Sequence, residues 1–307
     1  MSTEHSSLTR RVFLEKSLLA SGAGMAAGLS LEGQGALAGA RDVAPVAPTG
    51  QTLPTGTIGK LKVSRLICGG NLFVGSAHSR ELIYVAALMK QYFTPEKVMD
   101  TLQLCEASGI NAAVMRCDQH ILGILNRYRK ERGGKIQWIA QTYPTATDTT
   151  NVKLAIDNGA VAAFMQGGIG DQLVAGGKID ALGNIISFIK QNGLAAGVGS
   201  HSLDVPKTVE QHKLAPDFYF KTFNNAKYNS QPPEEIADFM KTVERPWIAF
   251  KVLGAGVVKP RDGFHLALKM GADFLTVGMF DFQIKEDVRI VAELLAGDLQ
   301  RRRPWRS

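Results

Sequence analysis

The sequence predicts an α/β fold, specifically a (β/α)8 barrel of the TIM type. Between Val63 and Gly297, eight short apolar runs are each followed by a stretch with helical patterning. Such alternation indicates right-handed βαβ units and a parallel sheet. Eight units in about 250 residues match the length of a closed barrel. Functional residues are therefore expected at the carboxyl ends of the strands, where barrel enzymes carry their chemistry.

The predicted strands are short apolar runs bounded by helix and turn signals. In chain order they are Val63–Cys68, Ile110–Met115, Ile136–Gln141, Ala160–Met165, Ala195–Val198, Asp217–Thr222, Trp247–Val252 and Asp273–Val277.

Capping residues support the helices between these strands. Thr94-Pro95-Glu96 supplies an N-cap residue with proline at the first helical position. Glycines that suit a helix C-terminus stand just before four predicted strands, namely Gly109, Gly159, Gly193 and Gly271. Two longer segments, Asn71–Tyr92 and Gly167–Gly177, are expected to be loops that cover the barrel mouth.

The N-terminus resembles a bacterial twin-arginine export signal. Arg10 and Arg11 precede a weakly apolar stretch rich in glycine and alanine. Ala36-Leu37-Ala38 or Ala38-Gly39-Ala40 then offers a small-residue cleavage site. The apolar stretch is too short to span a bilayer stably. We therefore expect a signal peptide over residues 1–40, a flexible connector over 41–59, the barrel over 60–297 and a basic tail over 298–307. The twin-arginine export machinery is the expected partner, and the periplasm or the exterior is the expected location.

The net charge of +7 does not by itself predict a nucleic-acid partner. Four arginines of the tail supply more than half of it, and a solvated terminus is the simpler interpretation. The three cysteines, Cys68, Cys105 and Cys117, lack the spacing of a zinc site or a disulfide framework. Cys68 and Cys117 end neighbouring predicted strands and could approach each other, but ordinary core packing is the favoured interpretation.

Several segments resemble the aldo/keto reductase superfamily in the right order. They are Gly59–Leu66, Phe93–Asn111, Gly197–Ser200, Phe223-Asn224 and Ala249–Gly256. The resemblance implies an aldo/keto reductase-like barrel. That family reduces carbonyls with a tetrad of Asp, Tyr, Lys and His near the ends of strands two to four.

The tetrad positions carry other residues in this chain. In the same order they fall on Val114, a residue near Gln119, Gln141 or Thr142, and Gln166 or Gly167. The family's strand-seven Ser-Pro is replaced by Lys251-Val252. Ordinary aldo/keto reductase activity is therefore not expected, since the resemblance supplies no proton donor for the carbonyl.

A different polar set follows the predicted strands. It comprises Asn71, Arg116, Asp118, His120, Gln141, Tyr143, Gln166, His201, Lys221, Asn224, Lys251 and Asp281. Amides, cations and an imidazole suit a hydroxylated small molecule such as a sugar. We assign catalysis to His201, Lys251 and Arg116, and substrate binding to the others except Tyr143.

Alternatives remain open at several of these positions. His201 is either an acid/base group or a cap of the next helix. Lys251 either forms a Schiff base or pairs with Asp281 or another carboxylate. Asp118, His120, His201 and Asp281 could converge on a divalent metal, with helix capping by Asp118 as the alternative. Gly167–Gly170 and Gly278 could contact phosphate, or belong to a flexible loop and an apolar rim.

The leading hypothesis is an exported barrel enzyme that performs acid/base chemistry on a carbohydrate or related carbonyl compound, as an isomerase, lyase or hydrolase. The alternatives are an oxidoreductase with tightly bound NAD(P) and a barrel that binds a solute without catalysis. The cofactor is left unassigned: none, NAD(P) and a divalent metal all remain open. No metal site is assigned.

Overall fold

The computed structural model describes residues 53–76, 78 and 82–307, and these residues form a closed parallel barrel of eight strands. The barrel confirms the predicted fold class. The predicted signal peptide over residues 1–40 lies outside the described residues, as does the connector up to residue 52.

An antiparallel hairpin precedes the barrel. Strand β1 (Thr55–Ile58) pairs with β2 (Leu61–Ser64), and the fully buried side chains of Ile58 and Val63 join the apolar cluster inside the barrel. Two sequence expectations change here. Residues 55–58 of the predicted connector form a strand, and the predicted run Val63–Cys68 is broken after Ser64 because the chain turns from the hairpin into the barrel.

The barrel strands follow in chain order. They are β3 (Leu66–Gly69), β4 (Ala112–Arg116), β5 (Gln137–Thr142), β6 (Ala162–Met165), β7 (Ala195–Ser200), β8 (Phe218–Thr222), β9 (Trp247–Phe250) and β10 (Phe274–Val277). Each strand pairs with its chain neighbours, and β10 pairs with β3 to close the ring.

Ten α-helices lie between or after these strands in the part of the chain that the structure describes. They are α1 (Val85–Tyr92), α2 (Pro95–Ala107), α3 (Gln119–Arg132), α4 (Thr150–Asp157), α5 (Gly167–Ala175), α6 (Ile179–Gln191), α7 (Asp204–Gln211), α8 (Pro233–Met240), α9 (Pro260–Lys269) and α10 (Asp281–Ala296). As predicted, Thr94 caps α2 by accepting a hydrogen bond from the backbone N–H of Lys97 at 3.2 Å. No described helix is long and apolar enough to cross a lipid bilayer.

Helix α5 corrects the prediction of a loop over Gly167–Gly177. Gln166 is the N-cap residue of this helix, and its side chain accepts hydrogen bonds from the N–H groups of Gly168 and Ile169. A Cβ atom at Gly170 would lie 2.1 Å from the carbonyl oxygen of Gly199. The glycine content of this segment therefore serves close packing of a helix on β7 rather than flexibility.

Side chains at alternate positions along the strands fill the interior of the barrel, as the period of two requires. The interior cluster contains Ile67, Ala112, Val114, Ile139, Ala162, Phe164, Phe218, Phe220, Ile248 and Phe274. Phe220 stacks on Phe250 with ring centroids 4.3 Å apart. These rings close the interior below the carboxyl ends of the strands.

The cysteines are buried and free. Cys105 is hydrogen-bonded to Cys68, and this contact together with burial raises the pKa of the Cys105 thiol. Cys117 instead donates to the carbonyl of Asn151 at 3.4 Å. Cys68 therefore meets a cysteine from the adjacent helix α2 rather than the one after β4.

The basic tail is anchored, so the expectation of a solvated terminus is wrong. The Arg303 side chain is fully buried, and its guanidinium donates to the equally buried Asp273 at 2.5 Å. Arg301 lies over the ring of Trp305, 3.4 Å from its centroid. Arginine side chains of the tail therefore bind the tail to the barrel.

Candidate active site

A cavity of about 600 Å³ opens at the carboxyl ends of the strands. Its apolar part is formed by side chains such as Phe220, Phe250 and Val114. Six of the predicted site residues line it, namely Asn71, Arg116, Gln141, Gln166, His201 and Lys251. Tyr143 lines it as well. This is the size and composition expected of a small-molecule site.

Asp118, His120 and Asp281 lie away from the cavity lining. Asp118 caps α3 by accepting from the N–H of Ile121 at 3.0 Å, and it pairs with Arg116 at 3.2 Å. His120 is exposed on the first turn of the same helix. Asp281 pairs with Lys97 and accepts from the Tyr92 hydroxyl.

Asp118, Asp281 and His201 are held by different partners and His120 is exposed, so these four side chains do not converge. No cluster of three His, Cys, Asp or Glu side chains within the described residues could hold a metal ion. The metal hypothesis required such convergence.

Lys221 and Asn224 are buried beneath the cavity rather than in its lining. Lys221 Nζ donates to the carbonyl oxygen of His201 at 2.7 Å and to Gln231 Oε1 at 3.0 Å. Burial lowers the pKa of Lys221 to about 7. Asn224 Oδ1 accepts from the N–H of Tyr228, and its Nδ2 donates to the same residue's carbonyl. Both side chains therefore shape loops that carry cavity residues.

His201 forms a half-buried pair with Asp171, a residue that the sequence analysis missed. His201 Nδ1 lies 2.8 Å from Asp171 Oδ2, and the backbone N–H groups of His201 and Ser202 also donate to this carboxylate. Burial alone would raise the pKa of Asp171, but the hydrogen bonds from His201 and Ser202 outweigh it and lower the pKa. The carboxylate is therefore ionised and accepts the Nδ1 proton, which leaves Nε2 as the basic nitrogen.

Asp171 was missed because it lies on α5, within the segment predicted to be a loop. Its side chain pairs with a residue 30 positions later. The only local signal was a lone carboxylate in an otherwise uncharged stretch. The alternative in which the His201 ring caps α7 does not describe this geometry, because the ring nitrogen is bound to Asp171.

Lys251 lies directly after β9 and lines the cavity. Its backbone has φ of 59°, in the left-handed region that non-glycine residues rarely adopt. Its ammonium group lies over the ring of Tyr228, 4.8 Å from the centroid. Burial lowers the pKa of Lys251 to about 8, with Asp171 opposing that shift. Asp281, the partner considered from sequence, is bound to Lys97 instead.

The strained backbone of Lys251 leads to a stability prediction. Lys251→Gly should be more stable to urea than Lys251→Ala by about 1 kcal/mol, since only glycine adopts this φ without a Cβ clash. Both variants lack the amine, so their difference isolates the backbone. At Lys259, where φ is −63°, the glycine variant should not be the more stable one. An alanine variant at 251 as stable as the glycine variant would contradict the argument.

Arg116 lies across the barrel from His201 and Lys251. In the ring of strands β4 stands opposite β8, which separates β7 from β9. Arg116 is the last residue of β4, whereas His201 follows β7 and Lys251 follows β9. The guanidinium lies over the ring of Tyr143, 5.5 Å from its centroid, and Gln141 donates to the Tyr143 hydroxyl. A polar ligand in the cavity would therefore have a cation on either side.

Loop residues complete the cavity wall, and the sequence analysis did not identify them. His78, Tyr228 and Asn229 line the cavity. The His78 and Tyr228 rings lie 5.9 Å apart. Desolvation, followed by the charges of Lys251 and His201, lowers the pKa of His78. The positions aligned with the reductase tetrad also line the cavity, where they carry Val114, Gln141, Gln166 and Gly167. The Tyr, Lys and His side chains of this cavity therefore come from other positions in the chain.

Solved structures with a similar fold were found. One from Pseudomonas aeruginosa, assigned as an aldo-keto reductase, superposes with a TM-score of 0.57 at 16% identity over 81% of this chain and 97% of its own. An aldo-keto reductase of Bacillus halodurans in its holo form gives 0.54 at 13% identity over 78% and 91%. A mutant of Gox0644 in complex with NADPH gives 0.55 at 7% identity over 80% and 94%.

No protein-family model matches the chain, and no curated protein matches it in sequence. At these low identities the likeness concerns the fold alone. The chain has an aldo/keto reductase-like barrel, and its site has to be interpreted from its own residues.

Proposed function

We propose that this protein is a proton-transfer enzyme that acts on a hydroxylated carbonyl compound, with His201 as the acid/base group. The observation that carries the proposal is the 2.8 Å contact between His201 Nδ1 and Asp171 Oδ2 at the wall of the cavity. A carboxylate in this position holds the imidazole in one tautomer and stabilises the charged form that arises on proton uptake. Nε2 is then free to take a proton from a bound substrate.

The two cations of the cavity, Lys251 and Arg116, indicate which type of reaction the site would favour. Removal of a proton next to a carbonyl places negative charge on the carbonyl oxygen, and Lys251 or Arg116 would stabilise that charge. Isomerisation or elimination fits this arrangement, and a water bound near His201 would extend it to hydrolysis. The chemistry draws on side chains alone.

The proposed substrate class follows from the lining. Gln141, Gln166 and Asn71 offer amide donors and acceptors, while the stacked rings of Phe220 and Phe250 offer an apolar surface. A carbohydrate or related keto compound presents both kinds of surface. The proposed enzyme would meet this substrate outside the cytoplasm, since residues 1–40 resemble a twin-arginine export signal.

Exchange of the α-proton of aldoses, ketoses and 2-keto acids with deuterated water, followed by NMR, tests the proposal. His201→Gln should slow exchange on the order of 10²–10⁴-fold, the usual contribution of a general base. His265→Gln is the matched control, because His265 is exposed on α9, and it should leave the rate unchanged. Equal rates in the wild type and the His201 variant would remove His201 from the mechanism.

A second candidate is an oxidoreductase that carries NAD(P). It is favoured by the contact of Lys251 with Tyr228, which could supply a proton to a reduced carbonyl, and by the NADPH complex of a protein with this fold. Freshly purified protein should then show the absorbance band of reduced nicotinamide. Ligand binding in calorimetry without exchange or redox turnover would instead favour a non-catalytic solute-binding barrel.

A further inference from the structure

Lys251 differs from the other lysines discussed above in its partners. Lys97 and Lys221 are both engaged, the first by Asp281 and the second by the carbonyl of His201. Among the described residues, Lys251 Nζ has neither a hydrogen bond nor an ion pair, and the face of Tyr228 is its contact. Within the described part of the chain, no acceptor therefore holds the proton of this amine.

The surroundings of this amine favour the neutral form. Lys251 is partly buried beside Phe250 and Tyr228, and burial brings its pKa down to about 8. Lys221 has a still lower pKa but is fully buried and hydrogen-bonded. Of the two, only Lys251 meets both requirements of an amine nucleophile: a substantial neutral fraction near neutral pH and access to a ligand.

The backbone supplies a second, independent observation. Lys251 has a left-handed backbone conformation at the position where it lines the cavity. Strain of this kind persists where the surrounding structure enforces it, and it occurs often at functional sites.

We infer that Lys251 forms a covalent imine with an aldehyde or ketone substrate in the cavity. The inference deepens the proposed function, on which it rests for the substrate class, because it turns a carbonyl compound that is merely bound into one that is covalently activated.

The step is balanced without an external reagent. The lone pair of Nζ forms the bond to the carbonyl carbon, and the carbonyl π electrons pass to oxygen, which takes up a proton while nitrogen releases one. The resulting hydroxyl group leaves as water when it gains a further proton, and nitrogen keeps its last proton. Amine, carbonyl compound and one proton thus yield the protonated imine and water. The protonated imine withdraws electrons from the adjacent carbon, whose proton His201 is placed to accept.

Reductive trapping tests this inference. The full-length protein is incubated with dihydroxyacetone and sodium cyanoborohydride at neutral pH, and the lysines are mapped by peptide mass spectrometry. Lys251 should carry the reduced adduct at least tenfold more often than Lys259, which is exposed in the same surface segment. Trapping at Lys251 should rise with pH up to about 8 and then level off.

Two variants sharpen the result. Lys251→Arg keeps the positive charge but removes the primary amine, so it should abolish the selective adduct. His201→Gln should still form the adduct, since the amine remains, while proton exchange is lost.

Adduct levels at Lys251 no higher than at Lys259 would overturn the imine while leaving acid/base catalysis by His201 testable through exchange. Selective trapping at Lys251 without α-proton exchange in any carbonyl compound would support the imine and contradict the proposed proton-transfer reaction.

Discussion

Replacement of Asp171 by asparagine is expected to lower the rate of proton exchange by up to about 10⁴-fold. The asparagine side chain can still accept a hydrogen bond from the backbone of His201 or Ser202, so the loop should keep its shape. Its amide group, however, would face Nδ1 as a donor and favour the tautomer with the proton on Nε2. The nitrogen that faces the substrate would then no longer be a base.

The histidine ring offers a direct readout of this effect. Nitrogen NMR of selectively labelled protein should place the proton of neutral His201 on Nδ1 in the wild type and on Nε2 in the Asp171→Asn variant. Asp262→Asn, at an exposed position on α9, should alter neither the rate nor the tautomer. A variant with full activity and an altered tautomer would show that the carboxylate is dispensable, and His201 would lose its assigned role.

The second large effect concerns stability. Asp273→Asn should destabilise the barrel by about 3–5 kcal/mol, because it leaves the fully buried guanidinium of Arg303 without its counter-charge. The same carboxylate also accepts hydrogen bonds from the backbone N–H groups of Trp247 and Arg306. One side chain thus connects β9, the start of β10 and the C-terminal tail.

Urea unfolding of variants measures this contribution. Asp298→Asn, at an exposed position in the tail, should change the free energy of unfolding by less than about 0.5 kcal/mol. The double variant Asp273→Asn, Arg303→Met should recover part of the loss, since an apolar side chain leaves no buried charge. A double variant less stable than Asp273→Asn alone would show that Arg303 contributes mainly through its bonds to backbone carbonyls, such as that of Val243.

Local patterns in the sequence were sufficient to predict the barrel. Alternating apolar runs, the N-cap at Thr94 and the proline starts of helices depend on residues a few positions apart. The same patterns locate the strand ends, and Arg116, Gln141, His201 and Lys251 line the cavity at those ends.

The partners of these side chains could not be predicted in the same way. Asp171 meets His201 across 30 positions, and Asp281 meets Lys97 across 184. Such pairs depend on how helices pack against the barrel, which has no periodic signature in the sequence. The glycines of the segment that carries Asp171 are typical of a loop in the sequence, whereas in the structure they permit contact between α5 and β7.

The sequence by itself determined a (β/α)8 barrel and a polar mouth, because strand and helix periods are properties of neighbouring residues. Only the tertiary structure decided which of the polar residues act together. It buried Lys221, turned Asp118 and Asp281 to other partners, and left Lys251 in the cavity without a carboxylate partner among the described residues. Burial and pairing set the charge of each group, and both arise from contacts between elements that are distant in the chain.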